Sequence, residues 1–152
     1  MEDSLKVIVF QLDQKQYGVN LQQVLSIERL QAITQIPLTS SFIKGVMNLR
    51  GNIIPVIDLR EKLDLGHTEQ TEATRVLIVQ IDTSKVGLVV DTATDVIDLN
   101  TSMIEPAPDL IVGITKEYLM GVAKLGDSLL VLLDIEHVLN LKEKEKIQEA
   151  MS

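Results

Sequence analysis

Hydrophobic residues along this chain come in short runs, each closed by a polar or glycine-bearing turn. That is the rhythm of β-hairpins rather than of amphipathic helices. Lys6–Leu12 is rich in Val, Ile and Phe, and the polar stretch 13–16 returns it into Tyr17-Gly-Val, which predicts a hairpin. Leu21 and Val24, three residues apart, predict one helical turn before Leu25–Leu30 extends as a strand. Gly45–Leu49 and Ile53–Ile57 flank Arg50-Gly-Asn52, a second hairpin in which Gly51 supplies a positive φ. Pro55 cannot donate to a ladder, so its strand should be at an edge or broken there. Lys85–Val90 and Val96–Leu99 read as further strands. Leu129–Leu133 is apolar without interruption, which predicts burial on both faces and marks it as the seam between two halves. Thr39-Ser-Ser before Phe42 offers N-cap oxygens for a short turn. Asp134–Leu139 looks like a short helix, Glu105–Pro108 a break, and Lys142–Met151 a charged helix or tail.

The pattern occurs twice. Phe42–Leu63 overlays Tyr118–Leu139 without gaps, so that Gly45/Gly121, Val46/Val122, Leu49/Leu125, Asp58/Asp134 and Leu63/Leu139 coincide. Earlier, Val7–Asp13 resembles Val76–Asp82, and Gly18 falls on Gly87. The chain therefore reads as two copies of one β-rich unit, with polar Gly66–Thr74 as the connector. One copy alone would have a marginal core, so the halves are expected to share an apolar interface and fold as one body.

Composition narrows the function. Hydrophobic residues make up 45% of the 152, almost all aliphatic, with aromatics at 3%. A formal charge of −8 argues against a nucleic-acid backbone or an anionic membrane surface as partner. The absence of Cys excludes disulfides, thiolate metal sites and Cys nucleophiles. The start of the chain lacks a signal-peptide pattern, and no apolar run approaches the roughly 20 residues that span a bilayer. A cytoplasmic protein without direct membrane insertion is the expectation.

Candidate chemistry is sparse. His67 lies in the connector, and His137 follows Glu136 where adjacent positions point apart, so a surface histidine at a helix end is the reading. Asp91, Asp95 and Asp98 lack the spacing of a calcium loop and read as a solvated loop. Ser40-Ser41 has no histidine in pattern, and Gly113 and Gly121 read as turn glycines. No catalytic or metal constellation emerges.

The stretch Phe42–Arg60, FIKGVMNLRGNIIPVIDLR, resembles the signature of the CheW family, the coupling proteins of bacterial chemotaxis. The resemblance runs from about Leu5 to Leu139, with YGV, VGLVVD, IEPAP, EYLMGVAKLGD and LVLLDIEHVL in family order. It implies an all-β fold of two SH3-like five-stranded β-barrels packed together, with short helices. The CheW-like domain would span 1–141, its first barrel about 10–65 with strands from the chain ends able to join, its second about 74–139, and 142–152 a charged helix or tail of a stand-alone coupler.

The family also implies a protein with neither enzymatic activity nor cofactor, tying the cytoplasmic tips of chemoreceptors to the regulatory domain of the histidine kinase CheA. Matched motif to motif, the receptor-binding residues would be Leu21, Val24, Ile27, Gly45, Arg50, Gly87 and Gly121; kinase-facing residues stay unassigned. For the three glycines, packing and function are both open, and Val24 and Ile27 would be core residues in most small barrels. Arg50 is the sharpest candidate, because nothing about folding demands a guanidinium beside Gly51. Where the family carries an acidic partner for that arginine this chain has Ser26; Glu28, two residues on and on the same strand face, is the expected substitute. A reading of another class is a small metal-dependent hydrolase on a duplicated β scaffold, with carboxylates converging near His137. Nucleic-acid binding through a small barrel is a third, disfavoured by charge.

Overall fold

The structure is a computed structural model that describes residues 4–35, 42–67, 69–81, 83–106 and 118–139, the side chain of Thr94 excepted. The first copy contributes β1 (Ser4–Leu12), β2 (Lys15–Asn20), β3 (Val24–Arg29), β4 (Ile33–Thr34), β5 (Ile43–Leu49), β6 (Asn52–Asp58) and the single-turn helix α1 (Leu59–Lys62). The second contributes β7 (Arg75–Ile81), β8 (Ser84–Val90), β9 (Thr92–Asn100), β10 (Ile104–Glu105), β11 (Leu119–Leu125), β12 (Ser128–Leu133) and α2 (Ile135–Val138). Among the described residues each copy thus has six strands and a closing helix, with 3₁₀ turns at Leu21–Gln23 and Thr101–Met103. Asp58 and Asp134 cap the two helices alike, accepting from backbone N–H groups of the first turn. The β1–β2 turn is tighter than expected, two residues with Asp13 at φ 53° and Gln14 at φ 67°, the primed geometry that matches strand twist. The proposed cap at Thr39–Ser41, Gly113, Pro108 and the tail 142–151 lie outside the described residues.

The strands of each copy do not stay together. One sheet runs β3-β7-β8-β6-β5-β4, the other β10-β11-β12-β2-β1-β9. Replacing every strand by its counterpart in the other copy converts one order into the other, so each copy lends its first hairpin to the sheet built on its partner. The exchanged hairpins attach through parallel ladders, β8 to β6 and β2 to β12, whereas the other pairings among the described residues are antiparallel. In each sheet the end strands are neighbours in sequence: three residues join β3 to β4, and three join β9 to β10. So short a link spans at most about 15 Å, and the sheets must therefore curl until their edges approach, as barrels. The five long strands of each match the expected five-stranded barrel, with two-residue β4 or β10 added.

Period-two alternation then divides the core three ways. On β1, Val7 and Val9 point into their own barrel with Leu99, Leu130 and Leu132, while Ile8, Phe10 and Leu12 point into a cluster shared by both halves. On β7, Val76 and Ile78 fill the other barrel with Met47, Ile54 and Val56, while Leu77, Val79 and Ile81 join the shared cluster. The exchanged strands are walls between two cores, which is why they are apolar at successive positions. Phe10 and Tyr17, a directly opposed cross-strand pair, stack with centroids 6.0 Å apart at the centre.

Three local expectations change. Leu129 is 46% exposed, so burial on both faces begins only at Leu130; beyond it, Val131 and Leu133 pack on the shared cluster and Leu130 and Leu132 on the barrel interior. Pro55 lies on a strand flanked on both sides, not at an edge, but the parallel ladder to β8 starts only at the next residue, Val56. Asp95 and Asp98 sit exposed on β9 rather than in a loop.

Polar side chains fasten the halves. Arg60 on α1 reaches Asp91 (Nη1 to Oδ2, 3.3 Å) between the two sheets and Asp13 (Nη2 to Oδ1, 3.6 Å) on the exchanged hairpin. Asp91 also accepts the Asp13 amide at 2.8 Å. With the Arg60 side chain only 19% exposed, Arg60→Ala is expected to lower stability by about 1–3 kcal/mol, read as a shift of the urea midpoint. A midpoint unchanged within error would show the link to be incidental. Lys62 lies over the rings of Phe42 (5.2 Å) and Tyr118 (4.7 Å) and donates to the Tyr118 hydroxyl at 2.8 Å. Those aromatics are equivalent positions of the two copies, so the cation bridges the internal symmetry.

Candidate functional site

The apolar candidates gather on one edge strand. Val24 stands opposite Val79 and Ile27 opposite Leu77, both partners being members of the shared cluster. Residues three apart fall on opposite faces of a regular strand. Here a register shift between Val24 and Ser26 bulges the strand at Leu25 and restores both to the face that looks towards the other barrel. Leu21, in the 3₁₀ turn just before, packs against the same cluster. Leu21 and Val24 are half-buried, Ile27 is 42% exposed and Leu25 is 50% exposed. The structure therefore brings Leu21, Val24 and Ile27 into a row, and adds Leu25 to its rim.

The same shift places Ser26 and Glu28 on the other face, opposite Ile78 and Val76. From there Glu28 meets Arg50, which projects from the β5–β6 hairpin: Nη2 to Oε2 is 2.8 Å and Nη1 to Oε1 is 3.4 Å. The pair ties end strand β3 to the opposite side of the curled sheet. Hydrogen bonds from Arg50, and then from Ser26, hold the Glu28 carboxyl below the usual carboxylate range. A depressed folded value means that the pair is fully formed at neutral pH and is lost only as pH falls through that lowered value. Glu28 is thus the acidic partner, and Ser26 supports it.

Arg50 itself has φ 51° and Gly51 φ 88°. The equivalent turn of the second copy begins with Gly126 at φ 60°. One copy thus builds this turn with the residue the geometry prefers, and the other holds a long cationic side chain in a left-handed conformation with its head 69% exposed. Ile53, one strand residue past the hairpin, is 60% exposed, and its counterpart Leu129 is exposed as well. Ile53 is not among the sequence candidates, yet the consecutive Ile53-Ile54 carries the signal, since alternation forces one of two adjacent residues outward.

The three glycines belong elsewhere. All are buried. A Cβ on Gly45 would lie 2.2 Å from the Thr34 carbonyl oxygen, one on Gly87 2.8 Å from Val76 Cγ1, and one on Gly121 2.7 Å from the Glu105 carbonyl oxygen. Gly45 and Gly121 let the short strands β4 and β10 lie close, and Gly87 faces a barrel interior. Packing accounts for all three, and the structure does not join them to the apolar row.

Titratable groups converge at another point than expected. Near His137 the hydrogen-bonding carboxylate is Asp134, its own cap residue (Nδ1 to Oδ2, 2.7 Å), and the ring is exposed. The metal-type grouping among the described residues is Asp58, Glu61 and His67, with ligand atoms within 4.8 Å of one another. His67 Nδ1 is 3.2 Å from Glu61 and 3.5 Å from Asp58. Asp58 Oδ1 caps α1, and Glu61 is paired with the Lys44 ammonium. A cation therefore already serves that grouping, which fastens the connector to α1. Among the described residues no helix is long and apolar enough to cross a membrane.

These features define a class: a duplicated, strand-exchanged double barrel whose exposed side chains include an apolar edge row and the Arg50 guanidinium, an arrangement suited to binding another protein. Residues 6–143 match the CheW-like domain, and the chain belongs to that family. It is 40% identical over 136 residues to the Chemotaxis protein CheW of Klebsiella aerogenes, covering 90% of this chain and 82% of that one. It is also 40% identical over 146 residues to the Chemotaxis protein CheW of Bacillus subtilis, covering 96% and 92%. The crystal structure of the scaffolding protein TtCheW from Thermoanaerobacter tengcongensis superposes with a TM-score of 0.84 at 33% identity, covering 94% of this chain and 92% of that one.

Proposed function

We propose that this protein is a non-catalytic, cytoplasmic adaptor of bacterial chemotaxis that holds the regulatory domain of the histidine kinase CheA next to the cytoplasmic tips of chemoreceptors. The observation that carries this reading is Arg50: an exposed guanidinium, oriented by Glu28, in a turn that the second copy makes with glycine. A folding role does not require it, whereas a binding role does. The names of the relatives and of the scaffolding structure support the chemotaxis setting. Leu21, Val24, Leu25 and Ile27 would supply an apolar strip for a receptor helix, with Arg50 as the charged contact. The other barrel surface is left for a domain of like fold. A body whose halves interlock through exchanged hairpins suits this work, because a rigid link raises the local concentration of one partner beside the other.

Interfaces that assemble and remodel are modest, so micromolar binding is expected. Chemical-shift mapping against a CheA regulatory domain and, separately, a receptor-tip fragment should give two distinct perturbed surfaces, the receptor one centred on β3 and the β5–β6 turn. Failure of either partner to bind at roughly tens of micromolar, where such interfaces saturate, would refute the coupling role.

A further inference from the structure

A cleft of about 510 Å³ opens at the far end of β3 and β7, between Arg29, Arg75 and the connector residues Gln70, Thr71, Glu72 and Thr74. Arg29 and Arg75 are directly opposed in the β3–β7 register, so both guanidiniums leave the same face of the sheet. Like charges so placed cost stability. In a chain of net charge −8, an acidic side chain between them would be the simple remedy. Among the described residues neither arginine forms an ion pair with a carboxylate.

Arg75 is nonetheless held in place. Its Nη1 donates to the carbonyl oxygens of Glu72 (2.8 Å) and Thr74 (2.9 Å). Those two bonds use both hydrogens of that nitrogen, fix the guanidinium plane and leave its Nε–Nη2 edge uncommitted. That edge grips a carboxylate or phosphate through two parallel hydrogen bonds. The connector is also ordered around the cleft, with the Thr71 amide donating to Thr74 Oγ1 (2.8 Å) and the Ala73 amide to Thr71 Oγ1 (3.1 Å). Each threonine hydroxyl keeps its own proton for a further acceptor. Glu72 lines the cleft as well, but Arg75 binds its carbonyl, and two guanidiniums against one carboxylate leave the site cationic.

We propose that this cleft binds an oxyanion, a carboxylate or a phosphate group, with Arg75 as the bidentate grip and Arg29 as the second cation. The site is distinct from the Arg50 hairpin and is independent of the adaptor reading. Inorganic phosphate is the first probe, a hexaglutamate peptide the second, and sodium chloride at matched ionic strength the control, with the arginine Nε–Hε resonances as the readout. Phosphate should shift the Arg75 and Arg29 signals saturably, and chloride should not. Arg29→Gln should weaken binding about tenfold, the size of one lost charge-assisted hydrogen bond. Its melting temperature without phosphate should equal or exceed that of the wild type, since it relieves the opposed charges. Arg75→Lys should keep the charge and lose the fork, weakening phosphate at least as much. Displacement of phosphate by the peptide would identify a protein-borne carboxylate as the ligand; binding of phosphate alone would identify the free anion. Shifts that stay linear, that chloride reproduces, or that persist at unchanged affinity in Arg29→Gln would overturn the proposal.

Discussion

Gly45→Ala should lower the melting temperature by roughly 10 °C, equivalent to about 3 kcal/mol for a domain of this size. Two costs combine. A methyl group at residue 45 would sit 2.2 Å from the Thr34 carbonyl oxygen and 2.9 Å from Ile33 Cγ2, so β4 must move away from β5. Overpacking of that kind costs about 1–3 kcal/mol. The backbone also holds φ 141°, a conformation that L-residues rarely adopt and that adds about 1 kcal/mol or more. Gly51→Ala is the control: its φ is 88°, but nothing lies within 4 Å of the added atom, so only the conformational cost, about 1 kcal/mol, applies. Both variants are compared by thermal melting. If Gly45→Ala melted within 2 °C of the wild type yet lost receptor coupling, residue 45 would be a contact rather than a packing position. The structure favours packing, so any loss of coupling should come with loss of fold.

Gly45 also shows what can and cannot be read from a sequence of this kind. Coincidence of Gly45 with Gly121 marked a repeated backbone requirement, but its cause, the passage of β4 or β10 across the glycine, depends on a strand pairing ten or more residues away. Turns were legible because they are local: Arg50-Gly51-Asn52 announces a hairpin turn, and Asp134–Leu139 a short helix, within a few residues. The exchange of hairpins was not. Equivalence of Val7–Asp13 with Val76–Asp82 says that these segments do the same work, not which sheet receives them; only the burial of alternate residues in two different cores decides that. The bulge at Leu25 was equally silent: without the register shift, Val24 and Ile27, three residues apart, would face opposite ways. Glu28 was foreseen from period-two logic and found opposite Arg50 at 2.8 Å. The nearness of His67 to Asp58 and Glu61 was missed because it depends on the connector folding back over α1.

Arg50→Gly should separate coupling from stability. The substitution replaces a left-handed arginine by the residue that occupies the matching turn position, Gly126, in the same molecule. The ion pair with Glu28 is lost, but the guanidinium end is mostly solvated, and Glu28, 17% exposed, keeps its hydrogen bond from Ser26, so the loss is small. Removing backbone strain and removing an exposed pair act in opposite directions, so the melting temperature should stay close to that of the wild type. Receptor-dependent kinase activation should fall about tenfold or more, as expected when a central arginine of an interface is truncated. Arg50→Glu should abolish coupling further, because it sets a second carboxylate against Glu28 as well as reversing the charge offered to the partner. Binding of the isolated kinase regulatory domain should be unchanged in both variants, which localises the defect to the receptor side. A large fall in melting temperature for Arg50→Gly would reassign the Arg50–Glu28 clasp to closing the barrel between β3 and the β5–β6 hairpin. Full coupling by the glycine variant would leave the apolar row on β3 as the sole receptor contact.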